Sequence, residues 1–316
     1  MLSAINFLAG VEKMKRRRNS GSVNSYLLRR PIQRCFPLFL LPTLAAFCIG
    51  FIYPFLQGLY LSFCNFLTTR DATWVGLANY VKAFHDPSFV RAFWFTSLFA
   101  LVSIVVINLF AFILAYALTQ KIKGSNLFRT VFFMPNLIGG IVLGYIWSTI
   151  FDAILQNYGK QLATDATLGF WGLVILVAWQ QIGYMMIIYI AGLQAVPEEL
   201  NEAAKIDGAS RWQTLWHVTI PNVMPSITIC LFLTLTNSFK LFDQNLALTG
   251  GAPIRTMADG SQLKLTEMLA LNIKSTFDIN QNWHGVAQAK AVIFFLLVAV
   301  LALSQLYFTR KKEVQQ

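Results

Sequence analysis

Two groups of uncharged polar residues interrupt long apolar stretches of the sequence, and each group shares one helical face through i,i+3 and i,i+4 spacing. They are Gln180, Gln181 and Tyr184 in one stretch, and Thr234, Asn237 and Ser238 in another. Amides, hydroxyls and an aromatic ring are the groups that recognise neutral polyhydroxylated molecules such as sugars. The same groups also form hydrogen bonds between membrane helices, worth about 0.6 kcal/mol each. The sequence leaves both interpretations open: a pathway for a polar solute, or helix packing.

The polar segment 195–220 has the residues expected of a docking surface. Pro197 suits the first turn of a helix, Gly208 suits its C-terminal end, and a second short helix can begin near Ser210. Between them, Ala203 and Ala204 follow Glu202. Small side chains allow close approach to a groove in a partner, and a carboxylate can pair with an arginine there. The alternative is an ordinary amphipathic helix whose polar face contacts water.

No residue pattern indicates catalysis, a metal ion or a bound nucleotide. The cysteines show no CxxC or Cys/His ligand spacing, and the histidines are isolated in sequence. These residues are Cys35, Cys48, Cys64, Cys230, His85, His217 and His284. The phosphate-binding pattern GxxxxGK[ST] is missing, so we expect that the chain does not bind ATP. We therefore predict a protein that is not an enzyme and that holds neither a cofactor nor a metal.

The composition determines what kind of elements must position these residues. Among 316 residues, 56% are hydrophobic and only 12% are charged, about half the charged share of a soluble domain. The mean hydropathy is +0.56. Soluble, disordered and collagen-like classes and a disulfide scaffold are excluded, which leaves an integral membrane protein.

Six stretches are long and apolar enough to cross a bilayer as helices, which needs about 20 residues each. They are Phe36–Leu61, Ala92–Thr119, Leu127–Phe151, Leu168–Gln194, Ile220–Leu241 and Val286–Phe308. The unbroken apolar run 292–302 lacks the alternation of a spanning strand. The sequence therefore predicts an all-α integral membrane protein with six transmembrane helices, occupying residues 36–308, and a helix–Gly–helix loop at 195–220.

The distribution of positive charge predicts which side of the membrane each loop faces. The net charge is +11, and 16 of the 25 Lys and Arg residues lie before the first span, in the second and fourth connections, or after the last span. The richer side is cytoplasmic, so both termini and the loop 195–220 are expected inside. The positive charge then suits a membrane rather than nucleic acid.

Three segments lie outside the spans. Residues 1–35 form a basic cytoplasmic tail, in which Leu2, Ile5, Leu8 and Val11 precede Lys13–Arg18. This pattern predicts either a short interfacial helix near anionic lipid or a disordered basic tail. Residues 309–316 form a second cytoplasmic tail. Residues 242–285 form a long outer loop, with a turn at Thr249–Pro253 and a possible helix at Leu263–Ile273.

Two residue pairs carry separate predictions. Gly140 and Gly144 form a GxxxG pattern in the third span, which predicts close helix packing. Lys240 and Asp243 lie three apart near the outer end of the fifth span, where they either form an i,i+3 ion pair or leave a charge that meets an acidic sugar.

The polar segment 195–220 also carries a family resemblance. Glu202-Ala203-Ala204, then Asp207-Gly208-Ala209, then Ile220-Pro221 resembles the "EAA" loop of binding-protein-dependent ABC importer permeases. Gly76–Tyr80 resembles the "GLxNY" stretch of the carbohydrate branch, on the side of the maltose and glycerol-phosphate permeases. Phe242-Asp243 followed by Leu248–Gly251 resembles its "FD…LTGG" stretch. The sequence departs from the family at Ala252, where a glycine is usual, and in a longer loop at 255–265.

The resemblance implies a permease subunit of a bacterial inner-membrane importer for sugars or oligosaccharides, working by alternating access. Glu202, Ala203, Ala204, Asp207 and Gly208 would then couple the chain to ATPase subunits. The implied partners are a second, similar permease, two ATPases that bind ATP and Mg, an extracytoplasmic sugar-binding protein and membrane lipid. The resemblance also implies that the fourth and fifth spans contact the sugar, with Tyr184 at the matching offset.

The competing hypothesis is an ion-coupled secondary transporter. Such proteins often carry acidic residues inside the membrane and inverted repeats. No Asp or Glu lies in the middle of a predicted span, and the sequence shows no internal repeat. Uptake that depends on ATP and survives an ionophore would separate the two hypotheses.

Overall fold

The computed structural model describes residue 38 and residues 40–120, 122–258, 260–279 and 281–311. The predicted basic tail at 1–35 lies outside the described residues. Two compact units divide the chain, one up to Tyr60 and one from Leu61 onward. Across the described residues, five helices are long and apolar enough to cross a membrane, or six if one sharply bent pair counts as a single span.

The first helix, α1 (Leu40–Leu61), contains a π-helical turn at Cys48–Ile52. This turn ends two residues before Pro54, which lacks an N–H and whose ring would clash with the Gly50 carbonyl in a regular α-helix. Phe47 and Phe51, one turn apart, stack with their ring centroids 5.2 Å apart.

The second unit contains four further helices of spanning length. They are α3 (Pro87–Thr119), α6 (Ala166–Gln194), α8 (Arg211–Phe239) and α11 (His284–Arg310). Shorter helices connect them: α2 (Ala78–His85), α4 (Ser125–Phe133), α5 (Gly140–Leu155), α7 (Glu198–Ile206), α9 (Asp243–Leu248) and α10 (Leu269–Ile279). Of the spanning helices, α6 is the most buried, because it packs against both α3 and α8.

The predicted third span at Leu127–Phe151 is not a single straight helix. α4 runs into a 3-10 turn at Met134–Leu137, and α5 then leaves at an angle of 99° to it. Pro135 removes a backbone donor within the 3-10 turn, and Ile138 and Gly139 are extended. The third segment is therefore a broken pair of short helices.

The fifth span begins earlier than predicted. A separate short helix was expected from Ser210, but α8 runs continuously from Arg211 through a π-helical turn at Leu215–Thr219. This turn ends two residues before Pro221, as the π-helical turn of α1 ends two residues before Pro54. In both helices the wider turn accommodates a proline.

Two small antiparallel sheets lie between the spans, so the all-α prediction holds for the spans but not for their connections. β1 (Cys64–Asn65) pairs with β2 (Thr73–Trp74), and β3 (Ile254–Thr256) pairs with β4 (Gln262–Lys264). The helix predicted at Leu263–Ile273 begins later, as α10, because Leu263 and Lys264 belong to β4.

The glycines of the GxxxG pattern pack closely against another helix, as predicted, and that helix is α9. A Cβ atom at Gly140 would lie 2.8 Å from the Asp243 Cβ atom. At Gly144 it would lie 2.5 Å from the Ala247 Cβ atom. Real Cβ atoms do not approach this closely, so both positions must be glycine for α5 and α9 to touch.

Candidate functional site

Two of the six candidate pathway residues, Gln181 and Asn237, meet in one cleft of about 410 Å³ where α8 ends. The other lining residues are Lys240, Leu241, Phe242, Asp243 and Gln244. The cleft forms because the chain stops being helical after Phe239 and turns before α9 begins at Asp243. Amide, ammonium and carboxylate groups therefore line one concave surface.

Gln181 leaves an unused hydrogen-bond acceptor at this cleft. Its side chain is only 8% exposed, and its Oε1 atom has no hydrogen-bond partner among the described residues. An unsatisfied buried polar group costs about 1–3 kcal/mol. The oxygen is buried beside the cleft and not open to it, so a ligand hydroxyl would reach it only after the Gln181 amide turned.

Lys240 and Asp243 do not form the i,i+3 ion pair that was one interpretation of their spacing. No ion pair joins them in the described part of the chain. The i,i+3 rule applies within a continuous helix, whereas Lys240 ends α8 and Asp243 opens α9. Both charges are consequently available at the cleft.

Gln180 supports the backbone at the broken third segment. Its Nε2 atom donates to the Ile138 carbonyl at 3.2 Å, and its Oε1 atom accepts from Gln244 at 2.8 Å. The Ile138 carbonyl lies at the break, where no regular helix can satisfy it, and a backbone polar group in a membrane needs a partner. Gln180 thereby links this break to α9.

Thr234 belongs to a hydrogen-bond chain between helices. Its hydroxyl donates to the Cys230 carbonyl at 2.8 Å and accepts from Asn108 Nδ2 at 3.2 Å. Asn108 Oδ1 in turn accepts from the Tyr189 hydroxyl at 2.8 Å. These buried contacts join α3, α6 and α8.

The remaining two candidates lie outside the cleft. Tyr184 is half-buried and packs against Phe133, with ring centroids 6.5 Å apart. Ser238 is buried, and its hydroxyl oxygen has no hydrogen-bond partner in the described part of the chain. The structure thus separates the six residues, although the spacing in sequence places each group on one helical face.

The segment 195–220 forms the predicted helix–Gly–helix arrangement. Gly208 ends α7 with a φ of +77°, which favours glycine, and two hydrogen bonds close the turn. They run from Gly208 N–H to the Lys205 carbonyl at 3.1 Å and from Ala209 N–H to the Ala204 carbonyl at 2.9 Å. This is the Schellman arrangement, and it fixes the direction in which the chain leaves α7.

A capping box then starts α8. Ser210 Oγ accepts from Gln213 N–H at 3.3 Å, and Gln213 Oε1 accepts from Ser210 N–H at 2.8 Å. Both ends of the turn between α7 and α8 are therefore held by the chain's own hydrogen bonds.

The candidate coupling residues lie mostly on the surface of this segment. Glu202, Ala203, Asp207 and Gly208 are exposed, while Ala204 is buried. The neighbouring Ile206 is 86% exposed. An acidic, small and apolar surface at a rigid turn can enter a groove of another protein, and the burial of Ala204 anchors the helix behind it.

A buried charge that none of the sequence patterns predicted lies in the second turn of α11. Lys290 is fully buried, and its Nζ atom pairs with Asp86 and donates to Asn272 Oδ1 at 3.0 Å and Thr276 Oγ1 at 2.6 Å. Its ammonium also lies 5.4 Å from the ring centroid of Phe89. The signal in the sequence was available, because Lys290 is the one charged residue between Val286 and Phe308.

A second buried group, Glu267, extends this network into the long loop 242–285. Its carboxylate accepts from Ser275 Oγ at 2.6 Å and Asn272 Nδ2 at 2.9 Å, and it pairs with Lys264 at 3.3 Å. Asn272 contacts both Lys290 and Glu267. The network therefore ties the β3–β4 hairpin and α10 to α11 and to the start of α3.

Comparison with known proteins places this fold in one family. A family model described as binding-protein-dependent transport system inner membrane component matches residues 122–314. The chain is 44% identical over 287 residues to the "Probable starch degradation products transport system permease protein AmyD" of Thermoanaerobacterium thermosulfurigenes, covering 88% of this chain and 94% of that protein. It is 33% identical to the "Multiple sugar-binding transport system permease protein MsmF" of Streptococcus mutans, covering 87% of this chain and 95% of that protein.

The fold is also similar to a solved structure. A chain of a bacterial ABC transporter involved in the import of the acidic polysaccharide alginate superposes with a TM-score of 0.73 at 21% identity. The match covers 90% of this chain and 98% of that chain. From the family match and these two relatives, the chain belongs to the family of inner-membrane components of binding-protein-dependent transport systems.

Proposed function

We propose that this chain is the permease subunit of an ATP-driven importer for sugars or oligosaccharides. The observation that carries the proposal is a rigid, exposed helix–Gly–helix segment in a chain of this family that offers no phosphate-binding loop of its own. A separate ATPase must then supply the energy. The relatives named for starch degradation products and multiple sugars support the substrate class.

The coupling segment would transmit the motion of the ATPase subunits. Glu202, Ala203, Asp207 and Gly208 are the contact residues, and Ala204 is buried behind them. Since the hydrogen bonds of the turn keep α7 fixed to α8, a push on α7 moves the cytoplasmic end of the fifth span. Alternating access follows if this span and its counterpart in a second permease line the pathway.

The cleft with Gln181 and Asn237 is the proposed contact for the sugar in this chain. Gln181 and Asn237 each carry a side-chain amide, which offers two donors and one acceptor atom for sugar hydroxyls. Gln180, Tyr184 and Ser238 remain candidates for other positions of the pathway, whereas Thr234, which is fully buried and hydrogen-bonded between helices, is assigned to packing. ATP and Mg would be held by the ATPases, and an extracytoplasmic binding protein would deliver the sugar.

The distribution of Lys and Arg supports a cytoplasmic position for the coupling segment and for both termini. This orientation places the β3–β4 hairpin and α10 on the outer side. The outer loop is therefore the proposed docking surface for the binding protein, and the buried charges of Lys290 and Glu267 stabilise it.

Uptake by the assembled transporter tests this function against ion-coupled secondary transport. The complex is reconstituted into liposomes with its binding protein and labelled oligosaccharides, with ATP on the ATPase side. We expect uptake that requires ATP, stops with vanadate and survives an ionophore. Uptake without ATP that collapses with the ionophore would reject the proposal.

A further inference from the structure

The short helix α2 exposes an apolar stripe. Leu77, directly before the helix, and Val81 and Phe84 lie at i, i+4 and i+7, and they are 65%, 56% and 60% exposed. The opposite face is fixed by Asn79, whose Nδ2 atom donates to the carbonyls of Ser62 and Cys64 at 3.0 and 2.9 Å. The stripe therefore faces away from the rest of the unit that begins at Leu61, because the other side of the helix is held in place.

The stripe continues into a groove. Phe84 lies at the edge of a cavity of about 330 Å³ between α3 and α11 that is lined entirely by apolar surface. Phe89 and Phe93 line it from α3, and Phe294 and Leu297 line it from α11. Both helices are of membrane-spanning length.

We propose that α2 lies in the membrane–water boundary and that the groove beneath it holds an acyl chain of a phospholipid. α2 carries Lys82 and His85 and no acidic residue, and these two exposed side chains line a cleft with Asp86 and the β3–β4 hairpin, on the flank next to the stripe. A lipid phosphate at that flank would meet the Lys82 ammonium. A helix with one apolar face and basic residues is typical of this boundary. We place α2 and the groove in the outer leaflet, and this choice of leaflet rests on the orientation given under the proposed function.

The groove differs from the helix-packing surfaces of the same chain. Helices that associate in a membrane use small residues for close approach, as Gly140 and Gly144 do against α9. The groove is lined by Phe, Val, Leu and Ile side chains only. A flexible acyl chain fits such a surface better than a second helix, because no small residue lets two backbones approach.

The first test measures what surrounds α2 in the complete transporter. Val81→Cys and Lys82→Cys are labelled with a fluorophore in nanodiscs that contain phosphatidylglycerol, and the unsubstituted chain corrects for native cysteines. We expect lipids with a doxyl group high on the acyl chain to quench the label at position 81 and aqueous iodide to quench the label at position 82. Equal iodide quenching at both positions would overturn the proposal, since α2 would then lie in water.

Protection from both quenchers at position 81 would also overturn it, because protein would then cover the stripe. Labelling with an impermeant reagent reports the side of the membrane independently of these signals. If the proposed orientation is wrong, the impermeant reagent labels α2 from the other side of the membrane, but the quenching by lipid stays the same. If ATP-driven uptake fails, neither the labelled side nor the quenching changes.

The second test measures the groove itself. Leu297→Trp fills it, whereas Leu301→Trp alters an exposed position one turn further along α11. We expect Leu297→Trp to lower the amount of phospholipid that native mass spectrometry detects on the purified transporter, relative to Leu301→Trp. The same lipid retention in both variants would contradict an acyl-chain site.

Discussion

Neighbouring polar residues on the same helix have different surroundings in this chain. Gln181 has an unpartnered acceptor that is buried beside the cleft, whereas Gln180 satisfies a carbonyl at a helix break. Asn237 lies at the cleft, whereas the Thr234 hydroxyl, one turn earlier, already accepts a hydrogen bond from Asn108. Helical spacing cannot separate these pairs, because what differs is the partner on another helix.

The first prediction distinguishes a ligand contact from a packing contact. Asn237→Ala should lower sugar uptake about fivefold, since one hydrogen bond contributes about 1 kcal/mol. Assembly and basal ATP hydrolysis should stay at the native level. Uptake by reconstituted transporter measures the first, and size-exclusion chromatography with an ATPase assay measures the others.

Thr234→Val is the matched control for Asn237→Ala. It removes a hydroxyl from the same helix, leaves Asn108 Nδ2 without that acceptor, and should lower the thermal midpoint rather than the apparent affinity for sugar. If Asn237→Ala lowers the midpoint and leaves uptake unchanged, Asn237 is a packing residue instead.

The second prediction concerns the buried charge at Lys290. Lys290→Met leaves Asp86 without its cationic partner, which should cost about 3–5 kcal/mol of unfolding free energy. Adding Asp86→Asn should recover part of this loss, because asparagine removes the unpaired charge and still accepts from the Ser88 N–H that caps α3. Thermal unfolding of the purified complex measures both variants, and a native midpoint for Lys290→Met alone would show that the pair is not stabilising.

At the scale of elements, the broken third segment depends on a glycine of α6. A Cβ atom at Gly183 would lie 1.8 Å from the Phe132 carbonyl oxygen, and a backbone atom cannot move aside as a flexible side chain can. The third prediction is that Gly183→Ala destabilises the chain by about 1–3 kcal/mol or prevents assembly.

Gly139→Ala supplies the comparison for this prediction. Gly139 lies at the break itself, but a Cβ atom there would meet nothing within 4 Å, and its φ of −60° suits alanine. Expression and the thermal midpoint should therefore stay near the native values. Equal behaviour of the two variants would mean that α4 and α6 do not approach as closely as the structure shows.

The fourth prediction concerns α7, the helix that carries the proposed coupling residues. Ala203 is exposed on α7, so Ala203→Gln should leave the thermal midpoint of the chain unchanged while it lowers co-purification of the ATPase and sugar-stimulated ATP hydrolysis. Asn201→Gln is the control, since Asn201 lines a cavity of about 460 Å³ on the other side of α7. Normal coupling by Ala203→Gln would argue against the proposed contact.

Element by element, the sequence predicted what depends on local pattern. Hydropathy located the long spans, and Gly208 with Ser210 located the turn of the coupling segment. The break at Ile138 was missed because Gln180, which satisfies it, lies 42 residues away. The pairing of Lys290 with Asp86 was missed for the same reason, since 204 residues separate them. The start of α10 was predicted too early, because hydropathy does not reveal that Leu263 and Lys264 pair in a hairpin.

For the whole molecule, the question that matters most is whether the broken segment crosses the membrane. α4 and α5 together are long and apolar enough for one crossing, but the 99° bend between them also suits a loop that enters and returns on the same side. With six crossings both termini lie on one side, and with five they lie on opposite sides. Whether the loops before residue 125 and the loops after residue 158 lie on the same side of the membrane as predicted therefore depends on the number of crossings.

Three single-cysteine variants decide whether the broken segment crosses the membrane. α8 has 29 residues, about 43 Å of helix, which exceeds the roughly 30 Å of a hydrocarbon core. Ser210→Cys and Ser261→Cys, on either side of α8, should therefore react with an impermeant maleimide from opposite sides, the first only from the cytoplasm. The third variant is Lys123→Cys, at a position just before α4. If the broken segment crosses the membrane, two crossings, this segment and α6, separate residue 123 from residue 210.

The fifth prediction is that Lys123→Cys reacts from the same side as Ser210→Cys. The reason is the positive-inside rule, because Lys121, Lys123 and Arg129 surround the start of α4 as Lys205 and Arg211 flank the coupling turn. Labelling in right-side-out and inverted membrane vesicles measures each variant against a native background. Labelling of Lys123→Cys and Ser210→Cys from opposite sides would show that α4 and α5 form a re-entrant loop. The chain would then cross the membrane five times, and its N-terminal half would have the reverse of the proposed orientation.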